Sequence, residues 1–323
     1  MARERHADPV TALHDLSEDM SISEDAITSA VEQAVVETYR KLVEDDAEVR
    51  AKVDVRSGSW EVFRVVDGVE TPARVDKPEF PRLAAAAVRA AVAGRVEEES
   101  RRKVLDAGAA RHGQLVDAII ERPAGPGWYV DAGGMPGLLP PEERIPGELL
   151  DRHQHIKVVV LEARTRTHDA VLVVSRSHPL LLHRLLEQEV PELQNGQVVI
   201  RGIARDPGRR SKVAVEAPAG EIDPQGACIG PKGVRQRAVT SELGAEQVQI
   251  VAWAADPQQY VKNSLIPATV ERVELDDSTH TAHAAVPSTQ LSLAIGRSGE
   301  NARLAARLTG WRIDIAAAES PQE

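Results

Sequence analysis

With 323 residues, 28% of them charged and 42% hydrophobic, the chain exceeds one ordinary domain and reads as a soluble globular protein of about two to four compact units. A formal net charge of −11 at pH 7 excludes a protein that coats nucleic acid over its whole surface, and the single cysteine, Cys228, excludes an intramolecular disulfide. No apolar run reaches the length of a membrane span and Met1–His6 leads into no signal-peptide core, so the expected compartment is the reducing cytoplasm, with no membrane partner.

Met1 to about Glu18 is polar and is expected to be a frayed start or a short helix. Ser21-Ile-Ser-Glu24 has capping-box spacing, and Ile27, Val31, Ala34, Val35, Tyr39 and Leu42 follow at helical intervals, which predicts a long amphipathic helix. Val49–Arg56 and Trp60–Val66 are rich in β-branched and aromatic residues and flank Ser57-Gly58-Ser59, so they predict a hairpin. Pro81 to Lys103 is Ala-rich and helical. The sum is an N-terminal α+β domain over residues 1–105.

From His112 the period becomes extended. Gln114–Glu121, Trp128–Asp131, His155–Ala163 and Ala170–Ser175 are the expected strands, separated by turns such as Pro123-Ala-Gly-Pro-Gly127. So few short strands predict a small OB-type β-barrel over residues 106–176 rather than a sandwich. Trp128 and Tyr129 are its aromatics. As strand neighbours they are expected to face opposite ways, one into the core and one outward, where a base could stack.

Ser177-His-Pro179 opens a helix with a cap and an early proline; Leu182, Leu185, Leu186 and Val190 form its apolar stripe, and Pro191 stops it. Val198–Arg205 and Lys212–Glu216 predict a hairpin over Asp206-Pro-Gly-Arg-Arg210, whose tip is basic. Asp223-Pro224 starts a helix that runs into Gly230-Pro231-Lys232-Gly233 and a second helix, and Gln247–Trp253 closes the unit as a strand. The same order then recurs. Asp256-Pro257 opens a helix, Thr269–Leu275 and His283–Val286 pair over an acidic turn, Gln290–Gly310 gives helix, loop and helix, and Trp311–Ile315 ends it. The order fits two tandem prokaryotic-type (type II) KH domains, over residues 177–254 and 255–318, with 319–323 as a tail. The short connection between Trp253 and Asp256 predicts that they pack as one rigid body. The whole is an α+β multidomain protein.

The two loops carry the chemistry. Gly296-Arg297-Ser298-Gly299 repeats Gly230-Pro231-Lys232-Gly233 after 66 residues. A Gly-x-x-Gly between two helices is how a KH module clamps a nucleic-acid backbone, because glycine lets the main chain approach the strand and the next helix points its N–H groups at phosphate. The expected RNA contacts are these eight residues with Arg235 and Arg237, Arg303 on the second helix, and Arg209 and Arg210 at the hairpin tip. The run from Arg201 to Arg237 is locally basic, which adds a field for a polyanion.

Rival chemistries fit less well. Walker A needs four residues between its glycines and a hydroxyl after the lysine, whereas Gly226 and Gly230 enclose three and Gly233 takes the hydroxyl position, so nucleotide hydrolysis is not expected. His153/His155 and His280/His283 lack cysteine partners and are read as surface histidines, so no metal site and no cofactor are expected. Cys228 is read as a buried small residue, since Ala294 replaces it in the second copy. Glu142 and Glu143 follow a Pro-Pro turn and are read as surface. No catalytic residue is proposed.

The blocks Leu138–Gly147, Ser175–Pro179, Glu189–Glu192, Arg209–Val213, Gly226–Gly233, Leu291–Gly296 and Asn301–Ile315 resemble the NusA family of bacterial transcription elongation, termination and antitermination factors. The resemblance covers about His112 to Ile315, with the first hundred residues similar in layout. It implies an N-terminal domain that binds RNA polymerase, a barrel of the ribosomal-protein type, and KH modules that hold nascent single-stranded RNA. It also implies a monomer working with other elongation or antitermination factors to modulate pausing, termination and antitermination, without catalysis. Two departures stand out: Gly-Arg-Ser-Gly in the second loop where a lysine is common, and Gln236 where the family has an apolar residue. An alternative is a KH/OB adaptor in ribosome assembly or RNA decay. The first loop, with basic neighbours on its own hairpin, is expected to hold RNA more tightly than the second, which faces the Asp276-Asp277 turn.

Overall fold

A computed structural model describes residues 23–43, 48–54, 59–73, 75–166 and 169–318. The expected features at Met1–Glu18, Ser21, Ser57-Gly58 and the 319–323 tail lie outside them. The chain divides into two compact units, one drawn from residues 1–107 with 163–171 and the other from 108–162 with 172–323.

In the first unit, helix α1 (Glu24–Val43) turns Ile27, Val31, Val35 and Tyr39 inward at four-residue steps, and all four are buried. Strands β1 (Glu48–Asp54), β2 (Ser59–Val66) and β3 (Val69–Pro72) form an antiparallel sheet in that order. Val49, Ala51 and Val62 on its inner face share a core with Val35, Tyr39 and Phe80. The third strand, with four residues and a terminal proline, is too short to show a period of two. Helix α2 (Phe80–Ala110) continues past the predicted end at Lys103 because Ala107, Ala109 and Ala110 favour helix; Gly113, at φ +70°, follows its end.

Next along the chain comes a closed barrel of β4 (Leu115–Ala124), β5 (Gly127–Ala132), β6 (Pro136–Leu139), β7 (His155–Thr165) and β8 (Ala170–Ser175). The order β4-β5-β6-β8-β7, with β7 antiparallel to β4 and β6 parallel to β8, is a five-stranded OB-type barrel. Strand β6 carries too few residues to be read from sequence, and at Gly137 a Cβ would stand 2.7 Å from Val130 Cγ2. Trp128 and Tyr129 are both half-buried, and the Arg122 guanidinium lies 4.0 Å over the Tyr129 ring.

The first KH domain contains α3 (Pro179–Glu189), α4 (Pro191–Gln194), β9 (Val199–Asp206), β10 (Arg210–Glu216), α5 (Pro224–Ile229), α6 (Val234–Glu242) and β11 (Gln247–Ala252). Its sheet is mixed, with β10 antiparallel to β9 and parallel to β11. The cap of α3 is His178, whose Nδ1 accepts from the Leu180 N–H, not Ser177. Ser177 and Ser175 instead donate to the Glu143 carboxylate, so Glu143 is a brace at the strand end and not the free surface group expected. Pro191 ends α3 and at once opens α4.

The second KH domain repeats this with α7 (Pro257–Ser264), β12 (Arg272–Asp276), β13 (Thr281–Val286), α8 (Leu291–Ile295), α9 (Glu300–Thr309) and β14 (Arg312–Ala317). Asp256 caps α7 through the N–H groups of Gln258 and Gln259.

Buried charge joins these modules. Arg176, 2% exposed, bonds Glu148 on the barrel side and both the carboxylate and the carbonyl of Glu242 at the end of α6. Arg205 pairs with Glu246 through Nε and Nη2, each at 2.9 Å, and Ser211 and the Gly208 N–H complete that carboxylate's bonding. Lys212, fully buried in β10, donates to Gln249 at 2.7 Å and to the Ile266 carbonyl of the second KH domain at 2.9 Å. The two KH domains pack directly, as Gly202 on β9 lies against Leu308 and Tyr260.

Glu246→Ala leaves the Arg205 guanidinium buried without its carboxylate, with only the His178 carbonyl to accept from it, and should lower stability by about 3–5 kcal/mol in urea unfolding, with Glu246→Gln costing less; equal, small losses would contradict this. Burial, with Arg210 adding repulsion, holds the Lys212 ammonium at about 7 instead of 10.5. Between these values the unfolded chain binds a proton that the folded chain has released, so stability rises as pH rises from about 7 toward 10. In Lys212→Met the rise in melting temperature between pH 7 and 9 should shrink; an unchanged pH slope would rule Lys212 out as its source.

Candidate nucleic-acid interface

The two loops adopt one conformation twice. Gly230 sits at φ 74°, ψ 169° and Gly296 at φ 78°, ψ 170°; Lys232 and Ser298 are both left-handed, at φ 53° and 52°, and Gly233 and Gly299 both lie at φ 72°. The closing bonds also match, with Gly233 N to Gly230 O at 2.9 Å and Gly299 N to Gly296 O at 3.1 Å. In each loop the two central residues are exposed.

The glycines have different jobs. A Cβ on Gly230 would stand 2.7 Å from Arg235 Cγ, and one on Gly296 would stand 2.8 Å from the Asn301 backbone N, so the first glycine supplies both conformation and room. At Gly299 no atom lies within 4 Å of an added Cβ, so only the left-handed backbone requires glycine there.

Register corrects one equivalence. Counting from the first glycine, Lys232 matches Ser298, and Arg297 matches Pro231, so the cation moves one residue along the loop and does not simply change type. Neither Lys232 nor Arg297 has a side-chain partner among the described residues.

Most of the other expected contacts are occupied within the protein. Arg235 Nη1 donates to Glu192 at 2.8 Å and to the Ala227 carbonyl at 2.6 Å. Its counterpart Asn301 likewise reaches back to Ala294 O at 2.9 Å, so both positions tie the helix after the loop to the helix before it. Arg237 donates to the Lys232 carbonyl and braces the first loop. Arg303, at the matching place in α9, bonds Asp206 of the first KH domain at 3.0 Å. Arg209 and Arg210 lie 3.3 and 3.8 Å from the Glu300 carboxylate of the second copy. The hairpin tip expected beside the first loop therefore pairs with the residue that follows the second, and the reason given for a tighter first loop is lost.

The basic run from Arg201 to Arg237 is thus not an open field. Arg201 pairs with Glu216, Arg205 with Glu246 and Arg235 with Glu192, while Lys212 is buried. Sequence reasoning missed these pairs because the partners Glu192, Glu246 and Glu300 lie far along the chain; the signal was a charge at an inward strand position, as in Ser211-Lys212-Val213. Gln236 is explained locally, its amide donating to the Val248 carbonyl. Cys228 is buried, with its thiol pushed up to about 12 by burial, and His153, His155, His280 and His283 are exposed, as expected. Asp276 is bound by Ser278 and Thr279 and held down at about 2 by those bonds. No cluster of metal-ligating side chains occurs among the described residues, and none of their helices is long and apolar enough to cross a membrane. A cleft of about 580 Å³ lies where the barrel meets the first KH domain, but Arg176 in its lining is already fully engaged.

An OB-type barrel followed by two KH domains with matched Gly-x-x-Gly loops defines a modular RNA-binding protein. Family models agree: residues 176–253 match a NusA-like first KH domain, 257–323 a NusA-like second KH domain, and 10–79 the NusA N-terminal domain. Among curated proteins, the transcription termination/antitermination protein NusA of Halalkalibacterium halodurans is 36% identical over 97% of this chain and 88% of its own length. The NusA of Bacillus subtilis is 35% identical over 94% and 89%, and that of Thermus thermophilus 36% identical over 96% and 90%. The chain belongs to the NusA family of transcription termination/antitermination proteins.

Gly296→Ala should destabilise the second KH domain by about 2 kcal/mol or more, since the added methyl meets backbone, while Gly299→Ala should lose only about 1–2 kcal/mol from left-handed strain. Thermal unfolding of the two variants checks this, and equal losses would refute the division of roles.

Proposed function

We propose that this chain is a non-enzymatic bridge between RNA polymerase and the RNA leaving it, acting in the cytoplasm as a monomer alongside other elongation or antitermination factors. Residues 1–105 bind polymerase, and the barrel of 106–176 with the KH domains of 177–254 and 255–318 holds the nascent single strand. Pausing, termination and antitermination are thereby modulated. Tethering to polymerase raises the local concentration of each RNA contact, so weak individual contacts are sufficient.

The observation that carries the RNA half is the repeated loop conformation, with exposed central residues in both copies and an unpartnered cation in each. Direct backbone contact is assigned to Gly230, Pro231, Lys232 and Gly233, and to Gly296, Arg297, Ser298 and Gly299. Arg235, Arg237, Arg210 and Arg303 serve by holding these loops and the domains that carry them. The polymerase half is supported by the match of residues 10–79 to the NusA N-terminal domain.

Lys232→Asp should weaken binding of a single-stranded RNA long enough to span both loops about a hundredfold and flatten its salt dependence by about 0.7 in log–log slope, with retention on immobilised polymerase unchanged. An unaltered binding isotherm would remove the first loop from the interface.

A further inference from the structure

The second loop lacks a cation where the first has Lys232, because Ser298 occupies that place. The turn of its own hairpin offers none, since it reads Asp276-Asp277-Ser278-Thr279 and Asp276 is bonded within it. The hairpin of the first KH domain reaches the same region. Arg209 Nε lies 3.3 Å from Glu300, the residue directly after Gly299, and Arg303 in the next turn of α9 bonds Asp206 at the base of that hairpin.

Glu300 is itself 8% exposed and shared by two arginines, Arg209 and Arg210, so its charge is spent inside the junction. Arg209 remains 58% exposed in its side chain, and its outer nitrogens have no hydrogen-bond partner among the described residues. Two guanidinium groups against one carboxylate leave a positive charge at the start of α9.

We propose that the second loop grips RNA as a two-domain site, in which Arg209 of the first KH domain contacts the phosphate backbone held at Gly296–Gly299 and Glu300 is the residue that positions Arg209. This rests on the loop reading above and adds a cross-domain contact to it. The strand then passes between the first domain's hairpin tip and the second domain's loop, and the second loop has no complete cation set without its neighbour.

Simple charge removal and positioning make opposite predictions at Glu300, which allows a direct test in the full-length chain. With Lys232→Asp present to silence the first loop, binding of a single-stranded RNA oligonucleotide is measured across a salt series for Arg209→Gln, Glu300→Gln and Arg297→Asp. Arg209→Gln should weaken binding about three- to tenfold and flatten the salt slope by about 0.7. Glu300→Gln should also weaken binding although it removes a negative charge, and should add little to Arg209→Gln in the double variant. Tighter or unchanged binding by Glu300→Gln overturns the proposal, as does an Arg209→Gln variant indistinguishable from its parent while Arg297→Asp binds weakly. If Arg297→Asp has no effect either, the loop reading itself fails.

Discussion

The buried carboxylate of Glu246 is the constraint on which the larger unit depends. It accepts from Arg205, Ser211 and the Gly208 N–H, and so fixes the tip of the β9–β10 hairpin against the strand that closes the first KH domain. That tip is then wedged on two sides. A Cβ on Gly208 would stand 2.8 Å from Ile145 of the barrel, and Asp206 holds Arg303 of the second KH domain. An ion pair taken out of water is weak evidence for stability in itself, but as a device that sets register among three modules it has a clear role.

From that junction the positions of both loops follow. The first KH domain presents β9 to α7 and α9 of the second, so the sheet of one copy is covered by the helices of the next. Each loop is held from behind in a similar way, by Arg235 in one and Asn301 in the other, and opens its two central residues to solvent. The grip can then rest on backbone shape, which repeats closely, while the cations differ: a lysine in the left-handed position of one loop, an arginine one place earlier in the other. A single strand crossing both would meet main-chain N–H groups in matching geometry and positive charge in staggered geometry.

The fold was largely legible because its signals are local. Helical spacing of Ile27, Val31, Val35 and Tyr39, the Asp-Pro starts at Asp223 and Asp256, and the glycine pairs at Gly230 and Gly296 each depend on residues within a few positions of one another. The short strands β3 and β6 escaped because four residues containing proline or glycine show no clear alternation. The electrostatics escaped for a different reason. Arg205, Arg209, Arg210, Arg235 and Arg303 look like a basic face in sequence, yet each finds a carboxylate through tertiary contact, always more than forty residues away in the chain. Charge in a sequence window states what is available, and only packing decides what is left for a ligand.

If the two loops hold one strand at a separation fixed by the hairpin junction, RNA length is the most direct probe. Affinity for unstructured single-stranded RNA of increasing length should rise steeply once the strand spans both loops, by about a hundredfold or more beyond the statistical gain in sites, and Lys232→Asp should abolish that step. An equal length dependence in the wild-type protein and in Lys232→Asp would show that the loops bind independently and would contradict the paired clamp.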